Sequence, residues 1–175
     1  ITNTPTGLNL GNIGSFNTGM GSWALQNTTS GSSNTGIGAN ALNINSTGGN
    51  NTAVGQAALI FNSSGNNNVA MGQNAMKANT SGSSNVAIGR EALAKNTTRE
   101  QLVAVGDSAL HNNQFNANTS IDGIQNTAVG SKAMLSNTTG RWNAALGYHA
   151  MKANTSGVNN TALGHEAMLK HTSGS

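Results

Sequence analysis

The 175-residue chain is predicted to be an elongated repeat solenoid, mainly β, of about nine coils. Two spacings predict it. A glycine preceded by an apolar residue recurs at Gly21, Gly38, Gly55, Gly72, Gly89 and Gly106, then at Gly130, Gly147 and Gly164, with every step 17 residues except one of 24. Three residues after each comes Ala (Ala24, Ala41, Ala58, Ala75, Ala92, Ala109, Ala133, Ala150, Ala167), followed every time by Leu or Met. A fixed period of this length marks a stack of coils in which each unit buries its apolar residues only against its neighbours.

The unit reads N-[TV]-A-Φ-G-x-x-A-[LM]-x-x-N-[ST]-[ST]-G-x-x, with Φ a large aliphatic or Met. Its first part, as in Asn85-Val86-Ala87-Ile88-Gly89, alternates in size between turn formers and predicts a short parallel strand. Within that strand the Φ residues (Met20, Ile37, Val54, Met71, Ile88, Val105, Val129, Leu146, Leu163) are expected to point inward and, with the Leu/Met ladder, to make the core. The small residue beside each Φ (Ala53, Ala70, Ala87, Ala104, Ala128, Ala145, Ala162) is then expected on the outer face, as a ladder suited to close packing between chains. The second part, as in Arg90-Glu91-Ala92-Leu93-Ala94-Lys95, is rich in helix formers and allows one short helical turn per coil; because an α-turn is too wide for stacked strands, a tight turn, a curved stack or a second extended segment are the alternatives. The third part, Asn-Thr-Ser-Gly in its clearest copies at 79–82 and 154–157, is turn chemistry and closes the coil. Strands stacked at roughly 4.8 Å would give nine coils a length on the order of 43 Å.

The solenoid is expected over residues 17–175, with a seven-residue insertion within 111–125. Residues 1–16 are expected to act as a cap or an inter-subunit contact. The uncapped last repeat, ending near His171, suggests end-to-end stacking.

Composition narrows the function. Only 7% of residues are charged and 3% aromatic, and the net charge of +3 comes from scattered side chains with no run able to neutralise successive phosphates, which argues against nucleic-acid binding. The absence of cysteine removes disulfides and thiolate metal sites. No apolar run is long enough for a membrane span. Five acidic residues with no cluster provide neither paired carboxylates nor a nucleophile, base and oxyanion donor, so the expectation is a protein with no catalytic residues, metal or cofactor.

The string Asn85-Val86-Ala87-Ile88-Gly89, with its variants at 51–55 and 126–130, resembles the head repeats of YadA-like trimeric autotransporter adhesins and related repeats of phage tail fibres. The resemblance covers residues 17–175 and differs from the adhesin heads in its period. It implies a trimeric, fibrous protein exposed on a cell or virion surface, binding matrix or glycans or serving as a rigid spacer.

The expected function is therefore structural: an extracellular or virion-surface fibre built by self-association, as a trimer or a head-to-tail filament. The competing class is a receptor-binding module that contacts glycans. Three sets of residues bear on the choice. Sequons recur at Asn27, Asn45, Asn62, Asn79, Asn96, Asn137 and Asn154, with Asn118 in the insertion, and predict either a row of glycans or simply turn geometry and ladder hydrogen bonds. His111, Phe115 and Asp122 gather around the insertion and are the candidate binding loop. Thr18, Thr35, Thr52, Thr127 and Thr161 share one column, as in an ice-binding face, although Val69, Val86, Val103 and Ala144 interrupt it. The histidines His149, His165 and His171 lack metal-ligand spacing and are expected to be solvated.

Overall fold

The structure, a computed structural model, describes residues 14–114 and 121–175. It is a parallel β-solenoid. Nine three-residue strands follow one another up a single sheet: β1 (Thr18–Met20), β2 (Thr35–Ile37), β3 (Thr52–Val54), β4 (Val69–Met71), β5 (Val86–Ile88), β6 (Val103–Val105), β7 (Thr127–Val129), β8 (Ala144–Leu146) and β9 (Thr161–Leu163). Each strand pairs with the next in strict register, so Ala53 lies on Ala70 and Ala70 on Ala87. The register survives the insertion, with Val103 on Thr127 across a 24-residue step. A one-residue slip would turn every side chain to the opposite face, and the repeated Asn and Gly on either side of each strand prevent it.

The faces of the strands are the reverse of the expectation from side-chain size. Ala53, Ala70, Ala87, Ala104 and Ala128 are fully buried, whereas the Φ residues are half-exposed, as Met71 at 41%, Ile88 at 38% and Leu146 at 50% show. The reason is the width of the coil. Opposite the middle of each strand stands the Leu/Met ladder (Leu42, Leu59, Met76, Leu93, Leu110, Met134, Met151), and all seven are completely buried. A Cβ placed on Gly36, where other coils have Ala, would lie 3.3 Å from Leu25 Cγ and 3.2 Å from the Ala41 carbonyl oxygen. A methyl fills the gap; Ile or Met would not fit. The core of each coil is thus two alanines and one Leu or Met, and the Φ ladder lies outside it.

The Ala-Leu/Met segment is also not helical. After each glycine the backbone alternates in sign, with φ of 132° at Gly55, 56° at Ala57 and 50° at Leu59, and the same pattern at Asn74 and Met76, Glu91 and Leu93, Lys132 and Met134, and His149 and Met151. An α-helix requires consecutive negative φ. The alternation turns successive N–H groups toward neighbouring coils: Ala57 N–H donates to the Ala39 carbonyl of the preceding coil at 2.9 Å, and Leu59 N–H to the Ala75 carbonyl of the following coil at 3.0 Å. This segment therefore hydrogen-bonds up and down the stack as a strand does, and fits the same coil spacing. Left-handed φ costs about 1–2 kcal/mol at an ordinary L-residue and is worst for β-branched ones. Among the described residues no Val, Ile or Thr has positive φ.

Two asparagine ladders run through the stack. One consists of the Asn before each strand: Asn51 donates its N–H and its Nδ2 to Asn34 Oδ1 at 3.0 and 3.1 Å, and Asn68 repeats this on Asn51. The other consists of the corner Asn: Nδ2 of Asn62 donates to Asn45 Oδ1 at 2.7 Å and that of Asn79 to Asn62 Oδ1 at 2.8 Å. A glycine carbonyl ties the two together in each coil. Gly48 O accepts from Asn34 and Asn45, and Gly65 O from Asn51 and Asn62, all within 2.8 to 2.9 Å. Every amide in this buried pair of ladders is thereby satisfied where the repeat is regular. The corner glycine is required for space: a Cβ on Gly65 would meet the Gly82 carbonyl oxygen and Asn62 Oδ1, each at 2.4 Å.

Candidate functional site

Two surfaces depart from the polar character of the coil. The first is the outer face of the sheet, where the first and third residues of each strand point. The third-residue column runs Met20, Ile37, Val54, Met71, Ile88, Val105, Val129, Leu146, Leu163, each stacked on the next by the strand register. The first-residue column beside it is Thr18, Thr35, Thr52, Val69, Val86, Val103, Thr127, Ala144, Thr161. Where Ala144 replaces the larger residue, a shallow apolar groove opens against Leu146 and Leu163. Monomeric proteins rarely leave an apolar strip of this continuity in water.

The second surface is the corner beside the insertion, where three departures from the repeat belong together. The insertion moves the corner glycine of its coil from the third residue after Asn113 to Gly123, whose carbonyl accepts, among the described residues, the Asn113 amide alone, at 2.8 Å. The Asn that would have been its second donor is replaced by Leu102, fully buried. One coil earlier Arg99 stands in the corner-glycine position, accepting from Asn85 at 2.9 Å and Asn96 at 3.1 Å in the glycine's manner. A Cβ at this position normally meets the corner carbonyl of the following coil, so Arg99 is accommodated where that corner has been displaced. An Asn at 102 would leave a buried amide short of its carbonyl partner, and Leu avoids that cost.

The same three coils replace the small residues that follow the corner. Elsewhere these are Ser32-Ser33, Gly49-Asn50, Asn66-Asn67, Ser83-Ser84 and Val158-Asn159, with Ser15-Phe16 in the first described coil; here they are Glu100-Gln101, Ile124-Gln125 and Arg141-Trp142. Their side chains form a chain of contacts: the Trp142 indole N–H donates to Gln125 Oε1 at 2.7 Å, and Gln125 Nε2 donates to Gln101 Oε1 at 2.7 Å. The Arg141 guanidinium lies over the Trp142 ring at 4.8 Å and 3.9 Å from Asp122. A cleft of about 520 Å³ lined by Thr98, Arg99, Glu100, Ile121 and Ile124 adjoins them.

The residues singled out from sequence fall into separate surroundings. Asn45, Asn62, Asn79, Asn96, Asn137 and Asn154 are completely buried, their amides committed to the corner ladder. A glycan on any of these nitrogens would have to displace the neighbouring coil, so in the folded chain turn geometry and ladder bonding account for them. Asn27 is exposed, and Asn118 lies outside the described residues, as does Phe115. His111 faces Glu91 at 3.6 Å, whereas Asp122 faces Arg141, so the candidate loop residues are partnered separately.

His111 and His149 are less solvated than expected, whereas His165 is exposed. His149 is largely buried, stacked on Tyr148 with ring centroids 3.8 Å apart, and 3.7 Å from Glu166. Desolvation lowers its pKa, Lys152 and Lys132 adding to the effect against Glu166. His111 is lowered likewise, chiefly by desolvation, with Lys95 and Lys77 opposing Glu91. Among the described residues no group of three His, Cys, Asp or Glu could hold a metal ion, and no helix is long and apolar enough to cross a membrane. No family model, curated protein or solved structure matches the chain.

The aromatic corner and the exposed Φ ladder are what sequence reasoning missed. The first had a signal, since Glu100-Gln101 and Arg141-Trp142 break the Ser/Asn/Gly usage of their columns. The second was hidden by the assumption that large aliphatics must face inward.

Proposed function

We propose that the chain is a non-enzymatic fibre subunit, exposed outside a cell or on a virion, which associates with further copies of itself through the outer face of its sheet. The observation that carries this is the unbroken Φ column from Met20 to Leu163, in register and partly or largely exposed in every coil. Burying the exposed part of each such side chain contributes on the order of 1 kcal/mol, and nine act together along one line. The core favours the same reading: two alanines and one Leu or Met per coil is little apolar volume, so assembly would supply stability that a single stack lacks. The likeness to trimeric adhesin repeats makes a trimer, its sheet faces turned toward a common axis, the first arrangement to test.

Sedimentation of the protein should give an oligomer at micromolar concentration. The double variant Ile88→Lys, Val105→Lys should give monomers with an unchanged far-UV spectrum, because both side chains point away from the core. Micrographs separate discrete trimers from head-to-tail filaments. Wild-type monomers at all concentrations would overturn the proposal, and thermal hysteresis from such monomers would turn the reading to ice binding by the same face.

A further inference from the structure

We propose that the corner formed by coils on either side of the insertion is a binding site for a neutral pyranose unit of a glycan, with Trp142 as its platform. The site stands apart from the self-association face and does not depend on it.

The argument starts from what the repeat requires. Five other coils close with Ser, Asn, Gly or Val after the corner glycine, and Phe16 in the first described coil has no such partners around it among the described residues, so no structural demand of the solenoid asks for Gln101, Ile124, Gln125, Arg141 or Trp142. Trp142 is 43% exposed and returns little burial, yet it is placed with care. Gln125 holds its indole nitrogen, Gln101 holds Gln125, and Arg141 stacks on the ring. A rigid, partly exposed aromatic plate binds a flat apolar surface at low entropic cost. The C–H face of a pyranose ring is such a surface.

The groups around the plate suit hydroxyls. Amides, guanidinium groups and carboxylates offer both donors and acceptors. Arg99 and Arg141 are matched by Glu100 and Asp122, so the corner carries no net charge to attract an anion or a cation. The adjoining cleft of about 520 Å³ is of the size that holds small ligands, and its Ile121 and Ile124 supply apolar lining beside the polar groups. A neutral, hydroxyl-rich ring with one apolar face matches that combination.

Saturation-transfer NMR with methyl glycosides of neutral hexoses, N-acetylhexosamines and a hexuronic acid tests the assignment. Transfer to ring C–H protons of at least one neutral glycoside is expected. Trp142→Ala should reduce it at least tenfold and Gln125→Ala several-fold, while Asn159→Ala, in the same column one coil on, should leave it unchanged. The Ile88→Lys, Val105→Lys chain should bind as the wild type does, whatever its assembly state. The proposal fails if no neutral glycoside shows transfer at millimolar concentration, if only the hexuronic acid does, or if both Trp142→Ala and Gln125→Ala chains with intact far-UV spectra bind normally.

Discussion

Asn62 donates its side-chain amide to Asn45 Oδ1 at 2.7 Å, one coil away, and the same nitrogen reaches the Gly65 carbonyl at 2.9 Å. The corner sequence that reads as a glycan acceptor is, at this position, the internal hydrogen-bond column of the stack. Replacing Asn62 by Ala removes the donor to the buried Asn45 Oδ1 and leaves Asn79 Nδ2 with only its bond to the Gly82 carbonyl, at a cost of about 1–3 kcal/mol. Asn27→Ala, on an exposed side chain, should stay within about 0.5 kcal/mol of wild type. Urea unfolding of the two variants measures the difference. In a glycosylating host, peptide masses should show Asn62, Asn79 and Asn154 unmodified in the folded product.

The invariant Leu or Met after each Ala follows from backbone conformation. Leu59 sits at φ 50°, where an unbranched Cβ is tolerated and a branched one is not. Leu59→Met should therefore cost less than about 1.5 kcal/mol. Leu59→Ile, equal in volume, should cost about 2 kcal/mol or more, combining repacking with left-handed strain. Equal midpoints for the two variants in thermal unfolding would contradict the alternating-φ coil.

Arg99, Leu102 and the insertion should behave as one unit. Deleting residues 116–122 restores the 17-residue spacing and places a corner carbonyl where the Arg99 Cβ stands, so the deletion alone should destabilise by about 1–3 kcal/mol. Adding Arg99→Gly and Leu102→Asn should recover that loss, whereas the two substitutions without the deletion should themselves destabilise. Strict additivity in the cycle would show that the three changes are independent.

Acid should weaken the fold. His149 and His111 are held below the ordinary imidazole pKa of about 6.5 when folded. The unfolded chain then binds more protons between the folded and unfolded values. Stability from these residues is complete above about pH 6.5 and is lost as pH falls below it. The melting temperature should drop between pH 7.5 and 5, and His149→Gln should flatten that drop. A wild-type curve parallel to that of the variant would remove His149 from the account.

Much of the fold was legible in the chain because a repeat makes each rule visible nine times. The 17-residue spacing, the strand before each glycine and the Asn-Gly corner are local patterns, and the structure has them where the spacing puts them. The chain left the Ala-Leu/Met segment open, because local preference and coil width disagree there. Ala and Leu favour helix in isolation, but a helical turn is too wide for the spacing of parallel strands, and the segment adopts alternating φ instead. A clue was present: the Φ column admits Val and Ile while the column after Ala admits only Leu and Met, the selectivity of a left-handed residue.

By itself, then, the sequence determined the number of coils, their register and the position of the one irregular corner, because these follow from spacing along the chain. Only the tertiary structure decided which side of each strand is inside. That depends on the gap between the strand and the Leu/Met ladder, a distance between segments that no single segment encodes. The gap accepts a methyl group, so Ala70 is buried and Met71 is left on the surface.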